Sequence, residues 1–340
     1  MKNKNLIVGL IQGYNFEQIR PFIVSLKNSG FKGDLHLFCS NIDEPTCNKL
    51  RKFSIKLIPF KETYPFFTDL TLIHPNDFFF NQLKTKKMSF WWRRWIMYYF
   101  YLSNLRKNYS KILLTDVRDV IFQLDPFDFK SDEDLCFFLE DIRMKINICE
   151  INTQWIRDLF GEEILAKLGD NYISCAGTII GSPPKLQNYL KKFMEIIFKI
   201  DITKSSPQAV HNYLIYMNLI DDFQLFENEN GPVLSMHHKI SDTIRLNKKG
   251  LIINNNDKVV NVIHQYDRHP ELIKKFLEEY IIKSPLLWRI SGKLLLNWKN
   301  IAYIVGKKIL KAQIIKKLQD FKNNAWTILK KRLQKFLLFF

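Results

Sequence analysis

The sequence predicts an α/β protein, a central sheet flanked by helices and followed by a basic amphipathic helical tail. Three observations point there. Short apolar runs alternate with helix-periodic stretches from Leu6 onward, as in strands joined by crossover helices. Hydrophobic residues make up 46% of the 340, with 28 Phe among them, enough to bury a sizeable core. Charge is uneven: residues 283–340 hold 14 of the 51 Lys and Arg against one acid, Asp320, and there helical periodicity alone remains.

Taken in order, Ile7–Ile11 reads as a strand and Phe16–Asn28 as a helix with Ile19, Phe22, Ile23 and Leu26 on one face. Gly30 suits the stop of that helix. Leu35–Cys39 is a second strand, Glu44–Phe53 a helix and Ile55–Ile58 a third strand. This βαβαβ alternation implies parallel pairing. Residues 59–88 are aromatic-rich and carry no assignable pattern. Phe90–Asn108 reads as a long helix, and Lys111–Leu114 as a strand that Val120–Phe122 continues. Leu135–Leu139 is a strand, Trp155–Leu168 is helical, and Tyr172–Gly181 is a strand broken near Cys175-Ala176-Gly177. Lys185–Ile200 and Pro207–Met217 read as helices, the second with Pro in its first turn. Val259–Ile263 is a late strand running into His264.

Several classes are disfavoured. The five Cys are an odd number with no zinc-ligand spacing, which argues against a disulfide framework and fits a reducing, cytoplasmic compartment. The apolar run Leu6–Ile11 is too short for a signal peptide and has no cleavage site after it, so it reads as a buried strand. No stretch reaches the roughly 18 uninterrupted apolar residues of a membrane span. No Walker-type GxxxxGK[ST] occurs, and no nucleic-acid-binding signature accompanies the basic charge.

The sharpest chemical feature is Asp116-Val117-Arg118-Asp119, directly after an apolar strand. Carboxyl ends of strands face the ligand crevice in open α/β sheets. Two carboxylates there suit a hard divalent cation bridging two phosphates, although solvated acids in a turn would read the same way. The segments around it keep a distinctive order. Arg93 and Arg94 lie on the preceding helix, and Phe122-Gln123-Leu124-Asp125-Pro126-Phe127 follows the acids. Ser174-Cys175-Ala176-Gly177, Gln208-Ala209-Val210-His211 and Val262-Ile263-His264-Gln265-Tyr266-Asp267-Arg268 come later.

Over roughly residues 6–275 this order resembles metal-dependent glycosyltransferases of the GT-A superfamily, of the bacterial capsule and lipopolysaccharide type and more distantly the glycogenin-like enzymes. The resemblance implies a Rossmann-like mixed sheet over residues 1–282 and a sugar-nucleotide donor, UDP-sugar favoured. It implies metal ligation by Asp116, Asp119 and His264, with Mn²⁺ preferred over Mg²⁺ because an imidazole takes part. It places Arg94, Asp116, Ala176 and Gly177 on the donor, with Tyr14 and Asn15 where such folds receive the nucleoside base. Gln208 and Arg268 take catalytic roles, Arg268 on the departing diphosphate. The glycogenin-like features imply retention of anomeric configuration. Two departures stand out: the extra residue in the acidic motif, and Pro207 where the pattern commonly has an acid before Gln208.

The function expected is transfer of a sugar from a nucleotide-diphosphate donor to a glycan or lipid-linked glycan. The alternative, supported by Pro207, is a catalytically degenerate relative acting as a membrane-surface binding or scaffold protein. In residues 283–340, Leu310, Ile314, Leu318, Phe321, Ala325, Leu329, Leu333 and Phe336 form a helical stripe among Lys and Arg. Such a tail suits the anionic inner face of a membrane; the alternative is a helical appendage that packs on the body or pairs with another subunit.

Overall fold

The computed structural model describes residues 4–63, 67–72, 79, 89–203 and 205–282. The basic stripe of residues 283–340 lies outside these. The chain divides into two compact units, Met1–Tyr266 and Asp267–Phe340.

The first unit is built on a seven-stranded mixed sheet. Its strands are β1 (Lys4–Gln12), β2 (Asp34–Ser40), β3 (Lys56–Pro59), β4 (Tyr109–Thr115), β6 (Leu135–Leu139), β7 (Ser174–Gly181) and β8 (Phe223–Phe226), in the order β3-β2-β1-β4-β7-β6-β8. The first three pair in parallel with one another and β4 is parallel to β1. β7 then inserts antiparallel to both β4 and β6. Strand runs such as Ile7-Val8 and Ile112-Leu113-Leu114 are apolar on both faces because helices cover both.

A second sheet of three short strands joins β5 (Val120–Phe122), β12 (Val262–His264) and β9 (Val233–Ser235). This corrects one expectation, since Val120–Phe122 does not continue β4. The chain leaves the large sheet at Thr115, turns through the acidic motif, and enters the small sheet at Val120. Two strands, β10 (Arg245–Leu246) and β11 (Ile252–Ile253), pair separately.

Helix α1 (Phe16–Asn28) has the predicted bounds, because Asn15 and Gln18 form a reciprocal capping box at its start. Its inner face meets β5: Phe22 packs edge-on against Phe122 at 5.0 Å, and the Ser25 hydroxyl accepts from the Phe122 amide. Helix α2 (Glu44–Lys52) is capped by Asp43. Helix α3 (Phe90–Ser103) stops five residues short of the expected Asn108, where the amide of Asn104 closes onto preceding carbonyls and its side chain donates to the Phe100 carbonyl. The core joins Leu6, Val8, Ile112 and Leu114 of the sheet to α3 and to α5 (Pro183–Ile197). Trp95 stacks on Phe193 at 4.5 Å, and side chains of this size stabilise the fold by about 1.5–3 kcal/mol each when buried. Helix α4 (Glu150–Leu168) is bent at Gly161, whose φ of 81° is outside helical space. Helix α6 (Pro207–Tyr216) starts at Pro207, a residue preorganised for a first turn.

The second unit opens in the turn after Tyr266 and continues into α7 (Pro270–Leu277), where Phe276 stacks on Tyr280. No helix among the described residues is long and apolar enough to cross a membrane.

Two buried histidines give the fold a pH limit. Burial, then the Lys56 charge, drives His36 down to about 4, and burial alone drives His211 to about 3. Unfolded histidine titrates near about 6.5, so below that pH the unfolded chain takes up protons that the folded chain refuses. The contribution of these two histidines is therefore full above about pH 6.5 and is lost as pH drops toward 4. Thermal unfolding between about pH 6.5 and pH 4.5 should show Tm declining as pH falls. His211→Gln, although less stable throughout, should flatten that decline; an unchanged slope would remove His211 as its source.

Candidate functional site

The site forms where β4 ends beside β7. Thr115 lies opposite Thr178, and the Asp116 amide donates to the Gly177 carbonyl at 2.8 Å. A Cβ at Gly177 would lie 2.2 Å from His264 Cε1 and 2.7 Å from Asp116 Oδ2, so only glycine leaves room for both side chains.

Asp116 is held from two sides. Arg94, one turn into α3, ion-pairs with Oδ1, and His264 Nε2 lies 3.2 Å from Oδ2. Burial raises the Asp116 pKa, but Arg94 and His264 outweigh it and hold the carboxyl well below the usual range. Arg94 Nε is buried without a hydrogen-bond partner, a donor left over beside the carboxylate.

Asp119 and His264 come together through the small sheet. His264 is paired opposite Val120, and the Gln265 amide donates to the Asp119 carbonyl at 2.8 Å. That antiparallel register brings residues far apart in sequence side by side, with His264 Nε2 4.0 Å from Asp119 Oδ1. The His264 ring is buried and its Nδ1 lies 3.4 Å from Cys175 Sγ. Burial also pushes the Cys175 thiol up, so this cysteine orients the ring and is not an activated nucleophile.

One ligand atom each from Asp116, Asp119 and His264 lies within 4.8 Å of the others. Two carboxylates and an imidazole in a cradle kept open by Gly177 fit a divalent cation. A small pocket of about 80 Å³ adjoins it, lined by Tyr14, Trp91, Arg94, Asp116, Arg118 and Asp119 among others. Asn15 flanks this pocket in sequence, and its side-chain oxygen is engaged in capping α1. Arg268, in the second unit, pairs with Asp267 at 2.9 Å.

Gln208 is placed by a network that sequence reasoning missed. Its Oε1 faces the Ala176 amide at 3.5 Å, while its Nε2 donates to Asn152 Oδ1 at 3.0 Å and to Glu140 Oε1 at 3.3 Å. Glu140 is buried, and its other oxygen lies 3.3 Å from His238 Nε2. Burial lowers the His238 pKa, but Cys149 and Glu140 more than reverse this and carry it to about 9, so the imidazole is a cation beside the carboxylate. A signal for Glu140 was present: it is an acid directly after the apolar strand Leu135–Leu139, as Asp116 is after β4. Asn152 and His238 carry no comparable signal.

No protein-family model matches the chain, and no curated protein matches it. Among solved structures, the apo structure of the WbbM bifunctional glycosyltransferase is similar with a TM-score of 0.55 at 11% identity, over 86% of this chain and 52% of that one. The chain thus spans about half the length of the WbbM chain. The galactosyltransferase LgtC, solved with donor and acceptor sugar analogs, aligns at TM-score 0.45 and 16% identity over 84% of this chain and 99% of its own. The glycosyltransferase GlyE of Streptococcus pneumoniae TIGR4 aligns at 0.46 and 14% over 88% and 64%. The WbbM comparison carries the conclusion, which concerns the fold: the chain has a GT-A-like mixed sheet flanked by helices.

The cradle predicts a metal-binding phenotype. In calorimetric titration with Mn²⁺, Asp116→Asn, Asp119→Asn and His264→Ala should each weaken binding by on the order of 10-fold or more. Gly177→Ala should do the same while circular dichroism stays native, because the added methyl occupies the cradle. Undiminished Mn²⁺ binding in all four variants would refute the centre.

Proposed function

We propose that the chain is a glycosyltransferase that moves a sugar from a nucleoside-diphosphate donor, UDP-sugar favoured, to a hydroxyl of a glycan or lipid-linked glycan. The observation that carries this reading is the convergence of Asp116, Asp119 and His264 at the carboxyl end of β4 in a GT-A-like fold. Asp116, Asp119 and His264 would hold a divalent cation, Mn²⁺ or Mg²⁺, which when bound neutralises charge on the donor diphosphate.

The chain's own groups do the rest. Arg94 fixes the Asp116 carboxylate and lines the pocket in which the donor would sit. Tyr14 and Asn15 stand at the nucleoside end, and Ala176-Gly177 lets the sugar approach the backbone. Gln208, clamped by Asn152 and Glu140, faces the transferring sugar with a side chain that cannot swing away. Arg268 is assigned to the leaving diphosphate on the resemblance of its position, four residues after His264.

Pro207 favours a second reading, a degenerate relative without activity. Against it stands Glu140, which sets a buried carboxylate on Gln208 from the neighbouring strand end. We therefore read Pro207 as a helix-starting residue and Glu140 as the acid of the site. The capsule or lipopolysaccharide setting, the lipid-linked acceptor and a cytoplasmic location at the inner membrane face, with residues 283–340 as anchor, complete the proposal.

A donor-hydrolysis screen across UDP- and GDP-sugars with added Mn²⁺ tests the activity; no turnover of any donor would favour the degenerate reading. With the active donor, Glu140→Gln should lower kcat by on the order of 100-fold, in line with loss of a group that acts in the transition state. Arg268→Ala should lower kcat far more than donor affinity, because leaving-group charge grows in the transition state. Purely weakened binding would reduce Arg268 to a positioning contact.

A further inference from the structure

A larger cavity, about 580 Å³, opens at the opposite end of the sheet. It lies at the amino ends of β2, β3 and β4, lined by His36, Lys56 and Tyr109, and against the end of α3, with Tyr101 and Arg106. Since β4 runs from Tyr109 to Thr115, roughly 20 Å separate this cavity from the Asp116 centre.

Its polar groups are ordered by one chain of hydrogen bonds. Lys56 Nζ lies 3.4 Å from the Tyr101 hydroxyl, and that hydroxyl lies 2.8 Å from His36 Nδ1. A lysine ammonium only donates, and His36 Nδ1 is the other group bonded to this hydroxyl among the described residues, so we assign the hydroxyl hydrogen to Nδ1. His36 is neutral at physiological pH because burial and Lys56 depress its pKa to about 4, and with Nδ1 accepting from Tyr101 its single ring hydrogen sits on Nε2. The ring is 7% exposed, it lines the cavity, and Nε2 has no partner among the described residues. Arg106 is exposed there and likewise has no ion-pair partner among the described residues. Three donors, two of them cationic, thus face an empty volume.

The acids of the cavity are already engaged. Asp34 accepts from Tyr109 at 2.8 Å and pairs with Lys107 and Lys4, and Asp69 accepts from the Thr71 amide and hydroxyl. They leave the lining with a cationic surplus and supply acceptors for hydroxyl groups. The volume is within the range of small-molecule pockets and far above that of a lone phosphate.

We propose that this cavity is a second binding site, for an anionic sugar: a hexose bearing a phosphate or a carboxylate. The anion sits on Arg106, Lys56 and the Nε2–H of His36, and the sugar hydroxyls donate to the carboxylate side of the lining. This site is independent of the activity proposed above.

Calorimetry on the full chain, with metal removed, tests it using glucose 6-phosphate, glucuronate, glucose and inorganic phosphate. At least one anionic sugar should bind and neutral glucose should not; the phosphate and carboxylate arms identify which anion is preferred. The double variant Lys56→Gln/Arg106→Gln changes two exposed residues and should weaken that binding at least tenfold, whereas Asp116→Asn should leave it unchanged. Tyr101→Phe, which deletes the hydroxyl that orients His36, should weaken it several-fold and serves as the test should the double variant misfold. Failure of both anionic sugars to bind, binding that survives these substitutions, or inorganic phosphate binding as tightly as the sugar phosphate would overturn the proposal.

Discussion

A carboxylate set between two cationic groups in a largely closed space is the constraint around which the first unit is arranged. Arg94 and His264 sit on the two oxygens of Asp116 and hold it ionised against the opposing effect of burial. Removing either partner would leave the carboxylate with one counter-charge in place of two and move its pKa back up. Each partner in turn demands a piece of architecture. Arg94 requires α3 to lie over the end of β4. His264 requires a second sheet whose last strand ends at the same level, and both require glycine at position 177.

The antiparallel insertion of β7 meets the second demand. Because β7 runs against β4 and β6, its start lies at the carboxyl end of β4, where Cys175, Ala176 and Gly177 face the acids. The same stretch receives Gln208 from α6 through the Ala176 amide. The candidate sugar-handling residues and the candidate metal ligands are therefore joined through one strand end. An all-parallel sheet would place that segment on the other side of the molecule.

Much of this was legible. The bounds of α1 follow from a local capping box, and Leu135–Leu139 is continuously apolar, so both were visible without tertiary information. Asp116, Asp119 and His264 were found through motif order, which encodes the fold indirectly. What escaped depends on pairing across long separations. Val120–Phe122 has the same apolar character whether it prolongs β4 or crosses to another sheet, and only His264 lying opposite Val120 decides it. His238 and Asn152 matter because of what they meet, Glu140 and Gln208, and no local pattern announces such a meeting. The early stop of α3 was hidden because Leu105 and the following basic residues keep helical character beyond Ser103.

The four-residue acidic turn has a mechanical meaning. Asp116 follows the last residue of β4 in the large sheet, whereas Asp119 leads into β5 and His264 ends β12, the central strand of the small one. Anything that engages all three at once is a rivet between two plates, added to the contact that Cys175 of β7 makes with His264. The residue by which this turn exceeds a tighter acidic pair lets the backbone step across the seam between them. Ligand occupancy and the rigidity of that seam are thus one property, and a looser seam would be felt first as a poorer grip on the ligand.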